Sequence, residues 1–198
     1  MKTGKLVRMF VALMMVAAMS VATVNAQSVF SQGDKVLNLG FGIGNYLGGT
    51  DYKTTIPPIS ASFEYCVKDN LFNEKSSLGI GGLIAYSANK WETSYTDWDG
   101  SKKTVGFKYT YFILGARGVF HYQFIDRLDT YGGLMLGYNV SSSKYIGTST
   151  NNHRTDSMGG VILSGFVGAR YYFNDKVAAF AELGFGIAVL NLGVSLKF

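Results

Sequence analysis

The sequence predicts an all-β protein, an eight-stranded antiparallel up-and-down transmembrane β-barrel. Three observations carry that expectation. Bulky apolar residues alternate with small or polar ones along eight segments. The connections between those segments alternate in length, and the minority face carries few charges, of both signs. Composition permits such a fold, because 47% of the 198 residues are hydrophobic and 15% aromatic, too apolar for a disordered chain. The 25 glycines accompany only 2 prolines, which excludes collagen-like and proline-rich chains.

The chain opens with Lys2, Lys5 and Arg8, an apolar run over residues 9–19, and the small-residue exit Val24-Asn25-Ala26. That is the pattern of a secretory signal peptide cleaved after Ala26, so residues 1–26 are expected to be removed and residues 27–198 to form the barrel. Without those three cations the remainder holds 15 basic and 13 acidic residues, and the formal charge of +5 no longer argues for a nucleic-acid partner. Cys66 is the only cysteine, which excludes a disulfide-stapled exported scaffold; it reads as a small buried side chain. Beyond the leader no apolar run reaches the roughly 18 to 20 residues of a spanning helix.

The first strand sets Leu37, Leu39, Phe41 and Ile43 against Asn38, Gly40, Gly42 and Gly44. The second sets Ile59, Ala61, Phe63, Tyr65 and Val67 against Ser60, Ser62, Glu64 and Cys66. Leu78, Ile80, Ile84 and Tyr86 form a third apolar row, and Phe112, Leu114, Ala116, Phe120 and Tyr122 a fourth, opposed by Gly115, Arg117, Val119 and His121. Leu134, Leu136, Tyr138 and Val140 alternate with Gly133, Met135, Gly137 and Asn139, and Val161, Leu163, Val167, Ala169 and Tyr171 oppose Ser164, Gly168 and Arg170. In the seventh, Ala179, Ala181, Leu183, Phe185 and Ile187 oppose Glu182, Gly184 and Gly186, and in the last, Leu192, Val194, Leu196 and Phe198 interleave with small or polar residues.

Short connections near 68–76, 123–129 and 174–176 alternate with longer polar ones at 48–55, 89–103 and 146–157; the one near 188–190 is short. Short turns on one rim and long loops on the other describe an outer-membrane barrel with both termini on the periplasmic side. Asp99 and Asn152 are then expected outside the cell, and Asn73, Asp126 and Asp175 in the periplasm.

The structural rival is a soluble lipocalin-like barrel of a periplasmic ligand-binding protein. The charges decide between them. A soluble barrel needs large charged residues along every outward face, whereas here the minority face is Gly, Ser, Asn and Ala with isolated Glu64, Arg117, Arg170 and Glu182. An Arg facing lipid at mid-bilayer costs about 2–4 kcal/mol, so these four are expected to form a structural charge network in the lumen. A three-residue loop at Trp98-Asp99-Gly100, with Gly in the left-handed position, keeps both apolar rows on one face and sets Gly81 opposite Arg117. A loop at Asn174-Asp175-Lys176 sets Gly168 opposite Glu182 and makes Glu182 a diagonal neighbour of Arg170, which predicts that those two pair.

With these features the chain resembles the small OmpA/OmpX-type outer-membrane barrels. The resemblance covers nearly all of 27–198 and rests on eight alternating strands, alternating loops, a Tyr/Phe-rich rim and a terminal strand closing on Phe198. It implies that Phe198 is the signal read by the outer-membrane assembly machinery. Outer-membrane lipids and lipopolysaccharide are the expected surroundings, in a Gram-negative-type bacterium.

No catalytic or metal site and no cofactor emerges. Gly40-Phe41-Gly42-Ile43-Gly44 lacks the helix of a dinucleotide fingerprint. Asp97, Asp99 and Gly100 lack the further ligands of a calcium loop. His153 lies among Ser149, Thr150, Asn152, Arg154, Asp156 and Ser157, the groups an outer-membrane lipid A deacylase or acyltransferase uses, but without a second positioned His it reads as a solvated loop. His121 reads as a satisfied lumen residue near the periplasmic rim. Eight strands leave an interior that side chains fill, so free diffusion of nutrients is not expected. What remains is envelope integrity or surface interaction. Trp91, Tyr95, Trp98, Lys102 and Lys103 form the candidate surface-binding loop, for an extracellular protein, glycan or lipopolysaccharide.

Overall fold

The structure, a computed structural model, describes residues 29–45, 52–147 and 155–198. The expected signal peptide, His153 and Asn152 lie outside the described residues. Those described form eight strands: β1 (Lys35–Asn45), β2 (Lys53–Asp69), β3 (Ser76–Thr96), β4 (Lys102–Ile125), β5 (Leu128–Gly147), β6 (Thr155–Tyr172), β7 (Val177–Gly184) and β8 (Ala188–Lys197). Each pairs antiparallel with the next, and β8 pairs with β1 to close the ring. The expected all-β eight-stranded barrel is the fold observed.

The alternation maps onto the two faces of this ring. Leu114 is 59% exposed, Leu136 60% and Leu163 63%, while their inward neighbours Arg117 and Met135 are 5% and 1% exposed. An exterior built of such side chains does not face water; a large apolar side chain taken out of water gains about 1.5–3 kcal/mol. Aromatic side chains gather at the short-turn end, where Phe63 meets Phe198, Phe72 meets Phe120, Tyr122 meets Phe124 and Tyr171 meets Phe173, with ring centroids 4.8–6.2 Å apart. This is the interfacial belt of a transmembrane barrel.

Both expected registers hold: Gly81 is opposite Arg117, and Gly168 opposite Glu182. At the first of these hairpins the Asp97 N–H donates to the Ser101 carbonyl and the Gly100 N–H to the Asp97 carbonyl, leaving 98–100 as the loop, with Gly100 at φ 79°. The inward glycines make room for neighbouring side chains. A Cβ on Gly168 would lie 2.6 Å from the Tyr131 ring, and one on Gly81 would collide with the Phe63 carbonyl oxygen.

Three sequence expectations need correction. The segment taken as a long loop at 89–103 is largely strand, because β3 and β4 pair without interruption from Ser76↔Tyr122 to Thr96↔Lys102; of the one at 146–157, residues 146–147 and 155–157 belong to strands, and 148–154 lie outside the described residues. At 21 and 24 residues, β3 and β4 far exceed the roughly 10 that cross a bilayer, so they rise from the barrel as a ribbon. Ile187 does not continue the outward row. β7 ends at Gly184, the chain turns through Gly186 at φ 104°, and Ile187 packs against the interior cluster. The turn near 123–129 is tighter than expected, since Ile125 pairs with Leu128, and this places Asp129 on β5 facing inward.

The interior has an apolar layer of Leu83, Ala85, Ile113, Val119, Tyr131, Met135 and Phe166. Toward β8 it turns polar: Ser195 Oγ donates to Asn38 Oδ1 at 2.6 Å, and Asn38 Nδ2 donates to Ser62 Oγ at 3.0 Å. The segment before β1 folds into the short-turn mouth, where Phe30 is 2% exposed.

Candidate functional site

Two regions bring together residues the sequence singles out: the lumen beneath the apolar layer and the ribbon above the barrel. In the lumen all four expected charges point inward, but the pairing differs from expectation. Arg170 does not pair with Glu182. Its Nη2 reaches across the barrel to Glu64, 2.8 Å from Oε1 and 2.9 Å from Oε2, and its Nη1 lies 3.3 Å from Asp129 Oδ2. Glu182 instead accepts from Arg117 Nη2 at 2.7 Å and from the Tyr131 hydroxyl at 3.4 Å.

The geometry explains the exchange. Gly81 lies between Glu64 and Arg117 in the register and leaves space on both sides, so Glu64 projects into the open axis where a long side chain from β6 can meet it. Arg170 is directly paired with Asp129, which anchors its base, and is flanked by the rings of Tyr131 and Phe30 at 4.7 and 5.6 Å. The Arg117 guanidinium sits 3.8 Å over the Phe166 ring, a stacking that favours a cation in a dry interior.

His121 completes the set. Its Nδ1 lies 2.9 Å from Asp129 Oδ1 and its Nε2 2.9 Å from Glu64 Oε1, and all three side chains are within 2% of full burial. A carboxylate oxygen thus lies within 2.9 Å of each ring nitrogen, and the imidazole stands between two acids. Three acids, Glu64, Asp129 and Glu182, share the lumen with two arginines, Arg117 and Arg170, and with His121. Sequence reasoning missed Asp129, although the signal was present: it shares odd parity with Tyr131, Gly133 and Met135 on a strand whose even residues face lipid.

An Asp–His pair invites a hydrolase reading. A general base needs its second ring nitrogen free for a nucleophile, and here Glu64 takes that position while Phe30 stacks 4.3 Å from the imidazole. Among the described residues no group of three or more His, Cys, Asp or Glu side chains has the geometry to hold a metal ion. Cys66 is buried and free of any disulfide.

On the ribbon, Tyr95 is opposite Lys103 and Trp91 opposite Phe107, four side chains of one face, whereas Lys102 pairs with Thr96 on the other. The structure therefore brings Trp91, Tyr95 and Lys103 together and leaves Lys102 behind them. Trp98 stands at the tip, fully exposed. Lys103 Nζ donates to Asp97 Oδ2. This hydrogen bond holds the Asp97 carboxyl below the usual range and raises the Lys103 ammonium.

Phe198, the expected assembly signal, lies on the outward row beside Phe63, and its N–H donates to the Lys35 carbonyl at 3.0 Å across the β8–β1 seam.

No family model matches the sequence, and no curated protein matches it. Among solved structures the chain is similar to Ail, the attachment invasion locus protein of Yersinia pestis, in complex with the heparin analogue sucrose octasulfate, with 14% identity over 84% of this chain and 99% of that one and a TM-score of 0.52. It is also similar to the outer membrane protein OprG of Pseudomonas aeruginosa, with 15% identity over 88% of this chain and 99% of that one and a TM-score of 0.50. The likeness is one of fold.

Proposed function

We propose that this chain, which has the fold of the small OmpA/OmpX-type outer-membrane barrels, is a non-enzymatic surface-interaction protein of the outer membrane that presents the β3–β4 ribbon to the cell exterior. In this reading residues 1–26 are cleaved on export and Phe198 guides assembly. The lumen network holds the barrel rigid and closed to solutes, because buried charges hold their positions only with partners.

The ribbon carries the proposal. Strand pairing continues from Ala88↔Thr110 to Thr96↔Lys102, past the last outward apolar side chains, and ends in an exposed tryptophan beside two lysines. Rigid pairing lowers the entropy lost on binding, and aromatic faces with nearby cations suit a ligand that has both sugar rings and negative charge. Ail was solved with a heparin analogue, which makes a sulfated glycan the rational first probe.

The test is retention of the barrel, reconstituted in phosphatidylcholine nanodiscs, on immobilised heparin. Trp98→Ala combined with Lys102→Gln and Lys103→Gln is expected to weaken retention at least tenfold while heat-modifiable migration stays unchanged. Equal retention of this variant and the parent would refute the role of the ribbon in glycan binding.

A further inference from the structure

The wall of the barrel is uneven. β7, β8 and β1 have 8, 10 and 11 residues, whereas β6 pairs with β7 only from Phe166 to Tyr172 and continues beside β5 up to Thr155. The upper inner face of the tall β3–β6 sheet therefore looks over a lower wall. Strand pairing sets three rungs on that face: Trp91–Phe107–Tyr145, Asn89–Tyr109–Ser143 and Ser87–Tyr111–Ser141. They keep the parity of the inward Arg117 and Met135, with no register shift in between. Beneath them lies Ala85–Ile113–Asn139, where Ala85 and Ile113 belong to the apolar layer that floors the space.

The aromatic side chains of these rungs are confined to the inner face. The outer face of the same stretch carries Ala88–Thr110–Ser142 and Lys90–Lys108–Lys144. A belt of rings that anchors a barrel in lipid requires the reverse. Cross-strand ring pairs that only stabilise the sheet would serve on either face. Nor are the rings part of the packed interior: Phe107 is 38% exposed, and Met158, which joins the face opposite Ser141, is 76% exposed. They are nevertheless held in place. Phe107 meets Tyr145 edge-on at 5.6 Å and Tyr109 at 6.2 Å, and Tyr52, just before β2, meets Tyr109 at 5.3 Å.

The chemistry of the rungs selects a ligand. Ring faces carry partial negative charge and attract the weakly positive C–H bonds on one side of a sugar ring. The Ser141 and Ser143 hydroxyls donate to the Met158 and Asp156 carbonyls, which leaves their oxygens as acceptors. At the floor, Asn139 Oδ1 has no hydrogen-bond partner among the described residues, an acceptor suited to a hydroxyl. No rung residue is charged, and Asp156, opposite Ser143, disfavours a sulfated ligand. A proline-rich peptide, which also stacks on aromatic grooves, offers no hydroxyls to the Ser and Asn positions.

We infer that the inner face centred on Phe107 and Tyr109 is a binding site for an uncharged oligosaccharide, separate from the cationic ribbon tip. The inference rests on the exposure of the ribbon side to the cell exterior proposed above, and is independent of heparin retention by the tip.

The experiment applies the barrel in phosphatidylcholine nanodiscs to an array of neutral, sialylated and sulfated oligosaccharides, with proline-rich peptides as a further arm. Binding to neutral oligosaccharides is expected, and it should not change as salt rises, whereas heparin retention by the charged tip should fall. Phe107→Ala with Tyr109→Ala is expected to weaken neutral-glycan binding about tenfold or more, as truncation of central aromatic anchors does. The same variant should keep the heparin retention of the parent, and Thr110→Ala, on the outer face, should bind neutral glycans as the parent does. Absence of neutral-glycan binding overturns the proposal, as does binding confined to charged glycans or to peptides, or equal binding by the inner-face variant and the parent. If that variant does not migrate as a folded barrel, Trp98→Phe leaves Trp91 as the only tryptophan. Its emission is expected to shift to shorter wavelength on addition of the neutral oligosaccharide that binds best on the array, and no shift overturns the proposal.

Discussion

Arg170→Met is expected to destabilise the folded barrel by about 3–5 kcal/mol, the cost of leaving buried charge without its partner. Arg170 is fully buried and contacts both Glu64 and Asp129, so its loss strands two carboxylates on either side of the His121 ring. Two-residue replacement separates this penalty from simple loss of packing. Arg170→Met with Glu64→Gln removes one charge of each sign and is expected to cost less than the sum of the single changes, with a coupling of about 1–3 kcal/mol. Reversible urea unfolding in phosphatidylcholine vesicles measures all three variants. Arg170→Met with Glu182→Gln should show much weaker coupling, because Glu182 belongs to Arg117. Strong coupling of Arg170 to Glu182 and none to Glu64 would contradict the observed pairing.

Leu136→Arg is expected to cost about 2–4 kcal/mol in a bilayer, because Leu136 lies on the outward face at mid-strand, 60% exposed in the barrel and therefore turned to lipid. The same variant should cost far less in short-chain detergent micelles, where the arginine finds water nearby. The comparison discriminates the membrane barrel from a soluble one, in which an outward Leu136→Arg change would be neutral or favourable in water. Unfolding free energies in vesicles and in micelles check it, and equal values in both would count against a lipid-facing Leu136.

Most of the ring was legible because a lipid-facing exterior demands an apolar side chain at every second residue, and that demand leaves its period in the sequence. The two hairpin loops were legible for a related reason: a shift by one residue would turn a whole row inward, so Gly100 and Asn174 had to fall where they do. The pairing inside the lumen was not. Arg170 and Glu64 are 106 residues apart and meet across the axis of the closed ring, a relation that neighbouring-strand register does not contain. Local parity suggested the diagonal contact with Glu182 instead, and the contact failed because Gly81 opens a better path. Ile187 escaped because a single left-handed glycine, Gly186, resets the alternation. Phe30 escaped because the segment before β1 has no period to read.

The measurement that tests the account most directly is accessibility of single cysteines on intact cells, in a Cys66→Ser background, to a membrane-impermeant maleimide. Asp99→Cys, at the ribbon tip, is expected to label on intact cells, and Asp175→Cys, in the β6–β7 turn, only after the outer membrane is permeabilised. Labelling of Asp175→Cys on intact cells, with Asp99→Cys protected, would contradict both the orientation of the barrel and the surface role of its ribbon.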